Sequence, residues 1–146
     1  MNAGDEARIR ETLSQIAWAL DAPEDRSLTV FATGDARITV HEQDGTVARF
    51  SADDGTLNDY KTHRRAGAWL FERQQWACDL LITGSSDEAT VEAAVFDLGW
   101  ARGVRSNVLL SSQVTRDRLV QEGGRWLLSR REIFPAGAVG PWEDGE

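Results

Sequence analysis

Two aspartates stand inside otherwise apolar runs, Asp79 in WACDLLI and Asp97 in AVFDLGW. A carboxylate is costly to bury unless it is paired or put to use. Each is therefore a candidate acid or base in a pocket, the plainer alternative being an outward position or an ion pair with a nearby arginine. His63 and Tyr60 lie three residues apart in TLNDYKTHRR, and on a helix that spacing puts both on one face. Together they could enter a cavity, or, with Lys61, Arg64 and Arg65 around them, form a solvated helix surface. His41 ends a strand-like segment and reads as structural. Cys78 is the only cysteine, which excludes an internal disulfide, a multi-thiolate metal site and an iron–sulfur cluster. With no histidine near it in sequence, it reads as a small buried apolar residue rather than a nucleophile. The two histidines are far apart, so no metal site is expected. Trp69, Trp76, Trp100 and Trp126, with Phe50, Phe71 and Phe96, could line a cavity for a flat apolar ligand, and core packing or a dimer interface would use them equally well.

The elements that must position these groups follow from periodicity. Residues 5 to 20 place Ile9, Leu13, Ile16 and Leu20 at helical spacing, with acids at the start where the helix dipole favours them. Asp21-Ala22-Pro23 interrupts that helix: Asp is a good N-cap and Pro suits a first turn, so a short second helix carrying Leu28 and Phe31 is expected. ARITVH (36–41) and TVARF (46–50) flank Gln43-Asp44-Gly45 and read as a hairpin. A third helix is expected over 56–65. Strands are expected over 74–83, 88–102, 107–121 and 125–134, forming an antiparallel meander. In the second of these, neither alternate set of residues is cleanly polar, which predicts a sheet covered on both faces. Gly123-Gly124 forms the turn of the last hairpin. With a two-residue loop, Leu119 faces Leu128 and Asp117 faces Arg130; with a three-residue loop, Asp117 faces Arg131. As a cross-strand ion pair, either contact is worth about 0.2–1 kcal/mol. The segment AGAVGPWEDGE after residue 135 reads as a flexible tail, with Trp142 the one group that could dock.

Helix, helix, hairpin, helix and a four-strand meander suit an α+β cone, a strongly curved mixed or antiparallel sheet wrapped around three helices. On three segments the sequence resembles the SnoaL-like proteins of the nuclear transport factor 2-like superfamily, which share a cystatin-like α+β barrel. These are IAWALD (16–21) leading to Leu28 and Phe31, Asp35-Ala36 at the first strand, and RDRLV (116–120) followed by GGRWLL (123–128) and Arg131. The resemblance spans about residues 5 to 134 and implies a single domain over 1–134. Relatives of this kind include scytalone dehydratase, ketosteroid isomerase, polyketide cyclases and the small subunits of ring-hydroxylating dioxygenases. Its implied chemistry is acid–base catalysis in an apolar cavity, without a cofactor, and it points to Asp21, at the end of the first helix, as a possible general base. Where dehydratase-like members carry a histidine on the strand after the third helix, this chain has Gln75 and Trp76.

Charge and size set the remaining bounds. A chain of 146 residues fits one domain, and a net charge of −8 argues against nucleic acid and anionic membranes, which are bound through clustered Lys and Arg. No apolar run approaches the length of a membrane span and the N-terminal segment lacks a signal-peptide core, so the cytoplasm is the expected location. Three function classes remain. The first is a lyase, isomerase or cyclase, with Asp21 as base, Asp97 or Asp79 tuning it, and His63 or Tyr60 donating a proton to a small apolar or polyketide-like substrate held by Tyr60, Trp76, Phe96, Trp100 and Trp126. The others are a noncatalytic small-ligand carrier and a structural subunit. Two-sided apolarity of the sheet makes a homodimer the expected assembly.

Overall fold

The computed structural model describes residues 1–21, 27–64, 71–101 and 108–143. Helix α1 (Ala3–Asp21) opens the chain. Asn2 caps it: its side-chain oxygen accepts the Asp5 backbone N–H at 2.9 Å while the Asp5 carboxylate receives the Asn2 N–H, a reciprocal cap. A single 3-10 turn, Leu28–Phe31, follows, and its N-cap is Ser27 rather than Asp21. Asp21 instead ends α1, and residues 22–26 of the anticipated second helix lie outside the described residues. Helix α2 is shorter than expected, Asp59–Arg64.

Six strands form one curled, open sheet: β1 (Ala32–His41), β2 (Val47–Ser51), β3 (Phe71–Gly84), β4 (Glu88–Ala101), β5 (Val108–Glu122) and β6 (Arg125–Pro135). Their order is β2-β1-β6-β5-β4-β3, antiparallel throughout except where β1 meets β6. The architecture is thus the α+β class read from the sequence, with less helix among the described residues than anticipated. Bulges interrupt β1, β3, β5 and β6. Each adds local twist, which is how a flat ladder becomes a curled one. Asp79 sits in the β3 bulge at φ 54°, a left-handed conformation that Asp tolerates better than most side chains.

Alternation divides the sheet into an inner face, which α1 and α2 cover, and an outer face. On β4 the inner set is Val91, Ala93, Val95, Asp97 and Gly99, all buried. Inner residues of β1 meet the second half of α1 to form one core, in which Ile16, Ala19 and Leu20 pack with Leu28, Ala36 and Ile38. A second core, Ile9, Ala89, Val91, Leu119 and Trp126, closes the other end of the sheet. Thr12 Oγ1 fixes α1 to that end by donating to the Trp126 carbonyl at 3.1 Å. In the last hairpin, Gly123 and Gly124 take φ of 57° and 78°, the signs a type I′ turn requires. Leu119 pairs with Leu128 as a two-residue loop dictates, yet a bulge at Ser129 then moves Asp117 opposite Arg131. No helix among the described residues is long and apolar enough to cross a membrane.

Candidate active site

The polar groups of the inner face collect at the end of the sheet away from the second core. Alternation along β4 turns Asp97 inward, where only 4% of it is exposed. Its strand partners then follow from register: Gln75 on β3 and Ser111 on β5 lie directly opposite. Ser111 Oγ donates to Asp97 Oδ2 at 2.7 Å, Gln75 Nε2 donates to Oδ1 at 3.4 Å, and Gln113 Nε2 donates to Oδ2 at 3.5 Å. From the last turn of α2, Arg64 Nη2 lies 3.5 Å from Asp97 Oδ1. The same nitrogen donates to Asp21 Oδ1 at 3.0 Å, while Nη1 donates to the Leu20 carbonyl at 3.2 Å. One guanidinium therefore holds two carboxylates that stand 76 residues apart in sequence, the end of α1 and the middle of β4. These donors offset the cost of taking the Asp97 charge out of water.

Tyr60 stands beside this cluster, 4% exposed. Burial pushes its phenol above the ordinary value, Arg64 and Arg131 oppose that, and the charges of Asp97 and Asp117 add to it. Deeper on the same face, Arg131 Nε and Nη2 each donate to Asp117 at 2.7 Å, one to each carboxylate oxygen. Asp117 is 2% and Arg131 7% exposed. The charge pair anticipated across the last hairpin is thus a bidentate ion pair enclosed on the inner face rather than an exposed cross-strand contact. Burial alone lowers the pKa of Arg131, but the Asp117 charge and its hydrogen bonds outweigh that and leave it raised.

The remaining candidates are placed elsewhere. His63 and Tyr60 both set their rings against Phe50, as their spacing predicts, but Tyr60 is core whereas His63 is exposed at the rim, with Nε2 2.8 Å from Glu42 Oε1. Asp79 is exposed in its bulge. Trp76, 55% exposed, and Phe96, its partner on β4, lie on the outer face with Trp100 and the half-buried Cys78. Trp126 packs in the second core. Trp69 lies outside the described residues. Sequence reasoning did not single out Arg64, Ser111, Gln113, Asp117 or Arg131 as site residues. The available signal was register: once Asp97 is inward, its cross-strand neighbours are too. Among the described residues, no three His, Cys, Asp or Glu side chains converge as a metal site.

Trp142 docks on the outer face, where the guanidinium carbons of Arg116, Arg118 and Arg130 lie 4.8–5.3 Å from its ring centre. Glu143 adds contacts to Thr39, Arg49 and, through its N–H, Glu132.

This architecture recurs in solved structures. ActVI-ORFA from Streptomyces coelicolor is 17% identical with a TM-score of 0.74, over 92% of this chain and 98% of that one. A scytalone dehydratase-like protein from Novosphingobium aromaticivorans is 17% identical with a TM-score of 0.66, over 97% and 95%. LinA is 20% identical with a TM-score of 0.67, over 94% and 95%. No curated protein matches the chain. The family model described as a SnoaL-like domain matches residues 2–132, nearly the whole chain. By that match, the protein belongs to the SnoaL-like domain family.

Proposed function

We propose that the chain is an enzyme acting on a small aromatic or polyketide-like ketone by acid–base chemistry of the isomerase, cyclase or lyase type. One observation carries the reading: Asp97, an enclosed carboxylate, is ringed by Ser111, Gln75, Gln113 and Arg64 on the inner face, with Asp21 and Tyr60 adjacent. Stability does not call for such a cluster, since apolar residues would fill the same space at less cost.

In this mechanism Asp97 takes a proton from the carbon next to the substrate carbonyl. Charge then develops on the carbonyl oxygen, and Tyr60, which burial keeps protonated, donates to it. Gln75 and Gln113 are free to turn from Asp97 to substrate once Asp97 is neutral. Arg64 keeps Asp97 and Asp21 at a fixed separation. Asp21 is thereby the second carboxylate of the site rather than its base.

The test uses phenyl allyl ketone, whose double bond moves into conjugation after loss of a proton beside the carbonyl, followed by absorbance. Wild-type protein is expected to accelerate conjugation, and Asp97→Asn to remove about 10²–10⁴-fold of that rate while retaining the fold. Asp21→Asn should cost much less. If Asp21→Asn abolishes turnover and Asp97→Asn does not, the base is Asp21. Binding of the ketone without conjugation would make the protein a carrier.

A further inference from the structure

Two carboxylates of the inner face share one cation. Arg64 Nη2 lies 3.0 Å from Asp21 Oδ1 and 3.5 Å from Asp97 Oδ1. With both carboxylates ionised, the three groups carry one negative charge more than Arg64 offsets. All three are largely withdrawn from water, the side chains of Asp97 and Arg64 being 5% and 7% exposed and that of Asp21 22%. Among the described residues, the other groups on Asp97 are neutral donors, Gln75 from β3 and Ser111 and Gln113 from β5, so they leave that count unchanged. Tyr60 on α2 is held as the neutral phenol by its burial. Further along the inner face, Asp117 on β5 and Arg131 on β6 cancel one another as a bidentate pair.

We propose that Asp21 is a positioning residue for proton capture: it keeps Arg64 neutralised, so that Asp97 takes up a proton without leaving a buried cation behind. The role rests on Asp97 being the base. When the C–H bond beside the substrate carbonyl breaks, its electron pair moves onto the substrate oxygen and its proton onto Asp97, and the surplus negative charge leaves the cluster. Arg64 then has Asp21 as its whole counter-charge, already in place at 3.0 Å, while the Leu20 carbonyl accepts from Nη1 at 3.2 Å and holds the guanidinium at the end of α1. In Asp21→Asn the count is reversed. Asp97 and Arg64 are balanced while Asp97 is ionised, and protonation strands an enclosed guanidinium, which is the costly condition for a buried charge. Asp97 becomes a weaker base, because a neighbouring positive charge favours an ionised carboxylate and a neighbouring negative one disfavours it.

Two measurements separate this role from a structural one. In urea unfolding, Asp97→Asn imitates the protonated base, and because Asp21 still balances Arg64 the midpoint should shift little. Asp21→Asn likewise leaves Arg64 with Asp97. The double variant removes both counter-charges and should unfold at a lower urea concentration than the two single shifts summed, or fail to fold although both single variants fold. Additive midpoints overturn the proposal. In turnover of phenyl allyl ketone, the acid limb of kcat/KM reports protonation of the base in the free protein. Asp21→Asn should move that limb to lower pH by about one unit, a tenfold change in the proton equilibrium, and lower the plateau with it. Asp21→Glu, which retains the charge, should leave the limb in place. A limb that stays where it is in Asp21→Asn, or moves to higher pH, overturns the proposal even where the plateau falls, since a merely structural defect lowers the rate without moving the limb. No turnover by the wild type, or full turnover by Asp97→Asn, sinks the base assignment instead, and the role of Asp21 with it.

Discussion

The two ends of the inner face are built by the same strands with the same alternation, and differ mainly in side chains. At one end Ile9, Ala89, Val91, Leu119 and Trp126 close the sheet against α1. At the other, Asp97, Ser111 and Gln113 occupy the equivalent inward positions, and Asp21 and Arg64 meet them from the ends of α1 and α2. Burying a side chain such as Leu119 contributes about 1.5–3 kcal/mol. A buried ion pair roughly breaks even against apolar residues of the same volume. The contrast assigns stability to the first end and leaves the second to hold groups that a core alone would not select. The Asp117–Arg131 pair stands between them, with Asp117 opposite Val91 and Arg131 beside Ile38.

That boundary pair gives the largest expected effect. Arg131→Met leaves Asp117 enclosed without its partner and should cost about 3–5 kcal/mol in urea unfolding. Asp117→Leu combined with Arg131→Met should recover most of the loss. A double variant no more stable than the single one would mean the pair contributes through packing that apolar residues cannot reproduce, and the division between the ends would lose its energetic basis. At the apolar end, Leu119→Ala should cost about 2–5 kcal/mol by leaving a cavity, while turnover per folded molecule stays unchanged. A specific drop in turnover would show that the two ends are mechanically coupled.

How much of this was legible before the structure depended on distance along the chain. Periodicity located α1 and every strand to within a few residues, because alternation and 3.6-residue spacing are local properties. Composition could not distinguish the inner from the outer aromatics: Trp76 and Trp126 stand in similar apolar runs, yet one is 55% exposed on an edge strand and the other 3% exposed in a core. Face is fixed by register, and register is shifted by single-residue bulges that carry little sequence signal. The Ser129 bulge decides that Asp117 meets Arg131 although the loop has two residues. Asp97 was visible as a charge in an apolar strand, whereas Arg64, in a polar six-residue helix, was visible only as one of several cations. What joins them is a contact across 33 residues.

Tyr60 gives the smallest effect and the sharpest location of the boundary. It packs with the core yet feels Arg64, Arg131, Asp97 and Asp117, and the balance of burial and charge raises its pKa above 10.0. The folded state therefore holds the phenol proton more tightly than the unfolded chain does. Its contribution is complete below pH 10 and is lost as pH rises through the folded value, by about 1.4 kcal/mol for each unit of pH until the folded phenol ionises. Tyr60→Phe lacks that dependence. The stability difference between the two proteins should be flat up to about pH 9 and then shift toward the variant. Because Tyr60 is the only tyrosine, absorbance of the phenolate in the folded protein gives an independent reading of the same pKa. Curves that stay parallel into the alkaline range would mean the phenol is already solvated, placing Tyr60 with the polar end rather than at the edge of the core.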